Sequence, residues 1–250
     1  NQLAMIKLIT LITKFIIAAI MALLFSSCVH SFNLGDKIKG NGNITTETRV
    51  VNQDFKNIEV SHGIRVIVQQ SDNKSITVEV DDNLQQHIIT KIENGVLKIE
   101  ADESYNTSET PVVNVKMPII NGLETSSGSE ITSSGVLITE NINVKSSSGS
   151  QINISVEADA IKLESTSGSH IEASGKALKL ETSSSSGSKI EAKNLMTNEV
   201  ISESASGSST SVFPILKLQA KASSGSNISY HKIPKTLSKK ESSGGSIAEE

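Results

Sequence analysis

The 250-residue sequence has no tryptophan, one cysteine and two arginines, and its aromatic content is 3%. Each scarcity closes off a class. One cysteine cannot make an internal disulfide framework or a multi-thiolate zinc site. With Arg49 and Arg65 as the only arginines and a net charge of −4, the chain is not built to neutralise phosphates, so nucleic acid is not an expected partner. Few aromatics means few stacking platforms and few anchors for a small-molecule pocket. Serine is abundant instead: 41 residues, 35 of them after residue 100. A hydrophobic share of 36% is nevertheless too high for a disordered serine-rich chain.

The N-terminal segment gives an address. Phe15 to Phe25 is an apolar run of eleven residues preceded by Lys7 and Lys14. That is about half of the ~20 residues a membrane-crossing helix needs, which fits a signal-peptide core. Met5 is the expected start. The run closes in Leu24-Phe25-Ser26-Ser27-Cys28, which resembles the lipobox of bacterial lipoproteins, with Phe25 where Leu is commonest. The reading is a lipid anchor on Cys28, an exported chain and attachment to the outer membrane. Its leaflet is left open, because no acidic run follows Cys28. An ordinary secretory signal with an incidental cysteine is the alternative.

After a glycine- and asparagine-rich stretch the pattern turns to strands. Ile76, Val78 and Val80 alternate with polar residues, and Asn94-Gly95 between two alternating runs marks a hairpin. No 3.6-residue apolar stripe follows residue 47. From residue 120 the chain repeats. Gly128, Gly149, Gly168, Gly187, Gly207 and Gly225 each stand between two serines, at spacings of 18 to 21 residues, and Ser243-Gly244-Gly245-Ser246 is a weaker seventh copy. Three residues after the glycine stand Ile131, Ile152, Ile171, Ile190, Thr210 and Ile228. A fixed period with a recurring inward position is a solenoid signature. We expect an all-β fold: a right-handed parallel β-helix with repeats of about 19–20 residues, preceded by irregular strands. Each unit should carry two short strands meeting at a Ser-Gly-Ser corner, where glycine meets a backbone demand that a Cβ opposes.

Little of this reads as chemistry. Ser-Gly-Ser recurs six times, whereas a nucleophile occurs once. His30, His62, His87, His170 and His231 show no metal-ligand spacing. His62, before Gly63, stands at a turn. Asp81-Asp82-Asn83 clusters the hard oxygens calcium prefers, though turn chemistry explains it more simply. The outward column four before each glycine, Glu124, Lys145, Glu164, Ser183, Glu203 and Lys221, is mixed in charge and forms no paired-carboxylate site. No catalytic, cofactor or metal residue is assigned.

The run Asn57 to Val68, Val78 to Leu84, Glu93-Asn-Gly95 and the Ser-Gly-Ser repeats together resemble the auto-transporter adhesin head GIN domain family (DUF2807), common in Bacteroidetes lipoproteins. The resemblance spans roughly 47–230. It implies a β-helical envelope protein and brings no catalytic residues. The expected division is 1–28 signal peptide with lipobox, 29–46 tether, 47–118 N-terminal β region, 119–238 solenoid and 239–250 charged tail or cap. The leading reading is a non-enzymatic binding or adhesion module, membrane-anchored, with a glycan or protein ligand. A homo-oligomeric scaffold joined end to end is the alternative, opposed by the charges of Lys239, Lys240, Glu241, Glu249 and Glu250. A glycan-active enzyme is third. Circular dichroism of residues 29–250 is expected to show strand with little helix; a helical spectrum would contradict the fold.

Overall fold

Residues 11–14, 16 and 37–250 are described in a computed structural model. Residues 11–14 and 16 are helical, and no helix among the described residues is long and apolar enough to cross a membrane. Cys28, the rest of the expected signal peptide and the tether up to residue 36 lie outside the described residues.

Residues 38–250 form one compact unit with its own core. About 65% of the protein is strand, wound into a β-solenoid of about seven turns. Five strands of 15 to 17 residues, Glu130–Ser146, Gln151–Ser165, His170–Ser184, Lys189–Ser204 and Ser209–Ser223, stack in parallel, one per turn. Identical repeats stacked in register place identical side chains above one another. One buried column therefore runs Val113, Val66, Ile131, Ile152, Ile171, Ile190, Thr210, Ile228 and Ile247 along the whole stack.

Two short strands per unit were expected; one continuous strand is found. Away from the serine corner the chain bends inside the ladder, through register shifts near Thr132, Glu172 and Ala192, so hydrogen bonding resumes beyond the bend. Gly175 allows one such bend. Its φ is +119°, and a Cβ there would lie 2.1 Å from the Val156 carbonyl oxygen.

The Ser-Gly corner is a tight turn with both central residues left-handed. Ser167 has φ of +55° and Gly168 +70°, and the Ser169 N–H bonds the Thr166 carbonyl at 3.3 Å. Positive φ at both positions is the type I′ pattern. The serine after the glycine turns inward. Ser169 Oγ accepts the Thr166 N–H at 3.0 Å and reaches the Ser146 carbonyl of the preceding turn at 2.6 Å. Ser150, Ser188, Ser208 and Ser226 repeat both contacts. These buried hydroxyls are satisfied, and each ties its corner to the turn below.

The expected boundaries shift at three places. Ile38–Lys39 pairs with Tyr105–Asn106, and Ile44–Arg49 pairs antiparallel with Ser75–Asp81, so the chain is already in the fold within the expected tether. Within 47–118, Asn57–Val60 and Arg65–Gln70 already form a turn of the solenoid, because they stack in parallel on Gly122–Thr125 and on Glu130–Ser133. Val96–Ala101 and Val112–Met117 stack on their other side. At the C-terminal end, Thr236–Ser242 and Ser246–Glu249 pair as a further turn around the seventh Ser-Gly copy, so the solenoid runs past 238 into the segment expected as a tail or cap. The isoleucine at the recurring offset, Ile247, draws this segment onto the core.

Alanine at Gly168 meets open space and bears only the left-handed backbone, at about 1–2 kcal/mol. Alanine at Gly175 adds a clash with main chain, so its cost should reach ~3 kcal/mol or more. Denaturant unfolding of Gly168→Ala and Gly175→Ala is expected to rank them in that order.

Candidate functional site

The structure places the six corner glycines in one line on one edge and distributes the other singled-out residues. His62 is itself a corner. With φ of +66° before Gly63 at +71°, it forms the first turn of the corner stack, and its carbonyl accepts the Tyr105 hydroxyl at 2.5 Å. The period was hidden because Ile64 replaces the inward serine. His170 Nε2 meets Glu191 at 2.7 Å and His87 Nδ1 meets Asp102 at 3.0 Å, both as surface pairs. No group of three His, Cys, Asp or Glu that could hold a metal occurs among the described residues.

The Asp81-Asp82-Asn83 cluster is a clasp. The Asp81 carboxylate is buried, accepting the Gly42 N–H at 2.5 Å and the Thr107 hydroxyl at 2.5 Å. Asp82 accepts the side-chain amides of Asn41 at 2.5 Å and Asn43 at 2.8 Å. Asn83 bonds the Asn41 N–H and the Lys39 carbonyl. Protein donors engage the oxygens that calcium would use, and together they pin residues 39–43. The Thr107 hydroxyl, with help from the Gly42 N–H, holds the Asp81 carboxyl below its ordinary range against the opposing effect of burial.

Two long outer surfaces remain. One carries the column Glu124, Lys145, Glu164 on successive turns, with Ser183, Glu203 and Lys221 above. Lys162 lies 2.5 Å from Glu164 and Lys145 3.7 Å from it, while Lys221 lies 3.7 Å from Glu203. The Lys162 hydrogen bond leads in lowering the Glu164 carboxyl, and Lys189 does the same for Glu191. Such carboxylates stay ionised and cannot act as general acids near neutral pH.

The second surface was not foreseen. It is a shallow groove of about 490 Å³ along the bends of the long strands, lined by Ile138, Ala158, Ala177, Leu178, Met196 and Ile215 among others. Ile138 is 66% exposed, Leu178 52% and Met196 43%. Outward positions obey no repeat, so the period could not reveal it. At its lower end the Gln70 side chain acts as a piece of ladder. Its oxygen accepts the Ile138 N–H at 2.7 Å, and its amide donates to the Ile138 carbonyl at 2.8 Å and the Pro118 carbonyl at 3.0 Å. At the open C-terminal end, Lys239 Nζ and a Glu241 carboxylate oxygen satisfy the outward carbonyl and N–H of Ile247, at 3.0 and 2.6 Å.

The family described as "Putative auto-transporter adhesin, head GIN domain" matches residues 54–234. A crystal structure of a "putative adhesin" from Bacteroides fragilis has a TM-score of 0.79 at 18% identity, covering 85% of this chain and 100% of that one. A "putative lipid binding protein" from Parabacteroides distasonis has a TM-score of 0.71 at 20% identity, covering 86% and 99%. A "putative adhesin" from Parabacteroides merdae has a TM-score of 0.71 at 19% identity, covering 86% and 99%. At these identities the likeness is one of fold. No curated protein sequence matches the chain.

The clasp makes the N-terminal strap acid-sensitive. Asp81 titrates lower when folded than when unfolded, so its stabilising contribution is present above the unfolded value, ~3.9, and is lost as pH falls through the folded value. The protection of residues 38–49 against hydrogen exchange, taken relative to the intrinsic rate at each pH, should fall below about pH 4. In Asp81→Asn, where an amide can face the Gly42 N–H, exchange should already be fast at neutral pH.

Proposed function

The chain belongs to the auto-transporter adhesin head GIN domain family, and on that footing we propose that it is a non-enzymatic binding module of the cell envelope. The observation that carries this reading is the outward column in register. Repetition gives neighbouring turns equivalent side-chain positions at about 4.8 Å steps, a surface that meets a repeating ligand or an extended protein segment many times over. A glycan or protein ligand is the occupant this supports. The ion-paired carboxylates along the column argue against glycoside hydrolysis, which needs one protonated acid beside one free base.

In this reading Cys28 carries the lipid, and residues 29–37 connect the anchor to the clasped strap. The chain is exported and held at the outer membrane. An end-to-end scaffold is disfavoured, because Lys239 and Glu241 already occupy the outward hydrogen-bonding groups of Ile247.

Protease treatment of intact cells tests the placement. The wild-type chain is expected to be cleaved on intact cells and Cys28→Ala to leave the membrane fraction. Protection until the outer membrane is opened would put the protein in the periplasm and end the adhesion reading.

A further inference from the structure

We propose that the groove along the strand bends is the contact surface for a second copy of this chain, packed side by side about a twofold axis. On four successive turns one outward column reads Ile138, Glu157, Lys176 and Met196, each in register with the next. Its polarity is apolar, acidic, basic, apolar. A twofold axis perpendicular to the stack, midway between Glu157 and Lys176, reverses that order on the second copy. Ile138 then meets Met196 and Glu157 meets Lys176, each contact occurring twice, as an isologous interface requires. The adjoining column, Thr139, Ala158, Ala177 and Thr197, is mapped onto itself in kind by the same axis, but Ala177 and Thr197 are buried, so it forms the floor of the groove and not its contact face. Small alanines at its centre let the two edges approach. Both copies have the same turn spacing, so all four levels engage in one register. Asp159 and Leu178 at the rim break the pattern, since acid would come opposite leucine.

The same column decides against a long apolar ligand. Glu157 and Lys176 lie 3.7 Å apart in the middle of the groove and are both exposed. An alkyl chain laid along the groove would desolvate these charges without replacing their water. A second copy brings the complementary pair and completes an alternating square of four charges. Four turns span only about 14 Å, so the contact is small and the affinity should be roughly micromolar or weaker. The inference does not rest on the binding reading, because the ionic column used there is a different one.

Sedimentation velocity of residues 29–250, from dilute solution to about 500 µM, reads the association directly. The wild type should move from monomer to dimer. Glu157→Lys and Lys176→Glu should each weaken the dimer by ~10-fold or more, through like charges across the axis. Mixed one to one, the two variants should regain it, because the lysine introduced at 157 on one chain meets the glutamate introduced at 176 on the other. No intramolecular role of the ion pair predicts that rescue, and matching circular dichroism spectra establish that both variants fold. A wild type still monomeric at the upper concentration, a dimer indifferent to the single reversals, or a mixture that stays monomeric would each overturn the proposal. A monomer that takes up a fluorescent fatty acid through Leu178 and Met196 would overturn it and assign the groove to an apolar ligand.

Discussion

Each corner glycine donates its N–H to the carbonyl of the left-handed serine one turn further on, at 3.0 to 3.2 Å from Gly128 through Gly225. That bond requires every corner to adopt the same left-handed turn at the same angular position. Once it does, the rest is constrained. Strands leave the corner in parallel, the isoleucine offset falls on one inner column, and outward residues stand in ladders. The corner is costly for serine, since a Cβ resists positive φ. Packing on both sides offsets that cost, because each turn is held above and below by main-chain bonds.

The interior beside the corner is polar, and it stays ordered because its geometry is repetitive. Thr125 and Ser146, with Ser150 between them, share hydroxyl contacts of 2.8 to 3.0 Å, and Ser184, Ser204, Ser208 and Thr210 share contacts of 2.7 to 3.0 Å higher up. A hydroxyl can both donate and accept, so a column of them can satisfy itself without charge. Small side chains also let the corner close tightly, which leucine or phenylalanine would prevent. The scarcity of aromatic residues thus suits a cross-section too narrow to hold many of them.

Much of the fold was legible in sequence because its strongest signals are local or periodic. The glycine spacing announced the solenoid, the offset of Ile131, Ile152, Ile171 and Ile190 its inner column, and Asn94-Gly95 its hairpin. The stacking order of the first turns was not legible. Val96–Ala101 and Val112–Met117 follow Asn57–Gln70 in the chain yet stack on its far side, away from the later turns. Alternating strands carry no mark of which neighbour they choose. The serines flanking each glycine were legible as small hydroxyls fit to bond corner amides and the stack, and the one after the glycine makes both bonds; its inward direction was not legible, because a serine carries no apolar mark of the side it faces. The strap at 38–49 was hidden because its hold comes from Asp81 and Asp82, some forty residues away. The groove depends on residues between the periodic ones, where the repeat imposes nothing.

The two ends of the stack are finished differently from its middle. Gln70 closes one ladder with a side chain, Lys239 and Glu241 close another, and antiparallel strands cover the first turns. An internal turn asks nothing of its neighbours except another turn of the same shape. Gene-level gain or loss of one whole repeat between Gly149 and Gly207 would therefore alter the reach of the rod without disturbing either end. Differences of one or two residues are absorbed at the bends, where the register shifts.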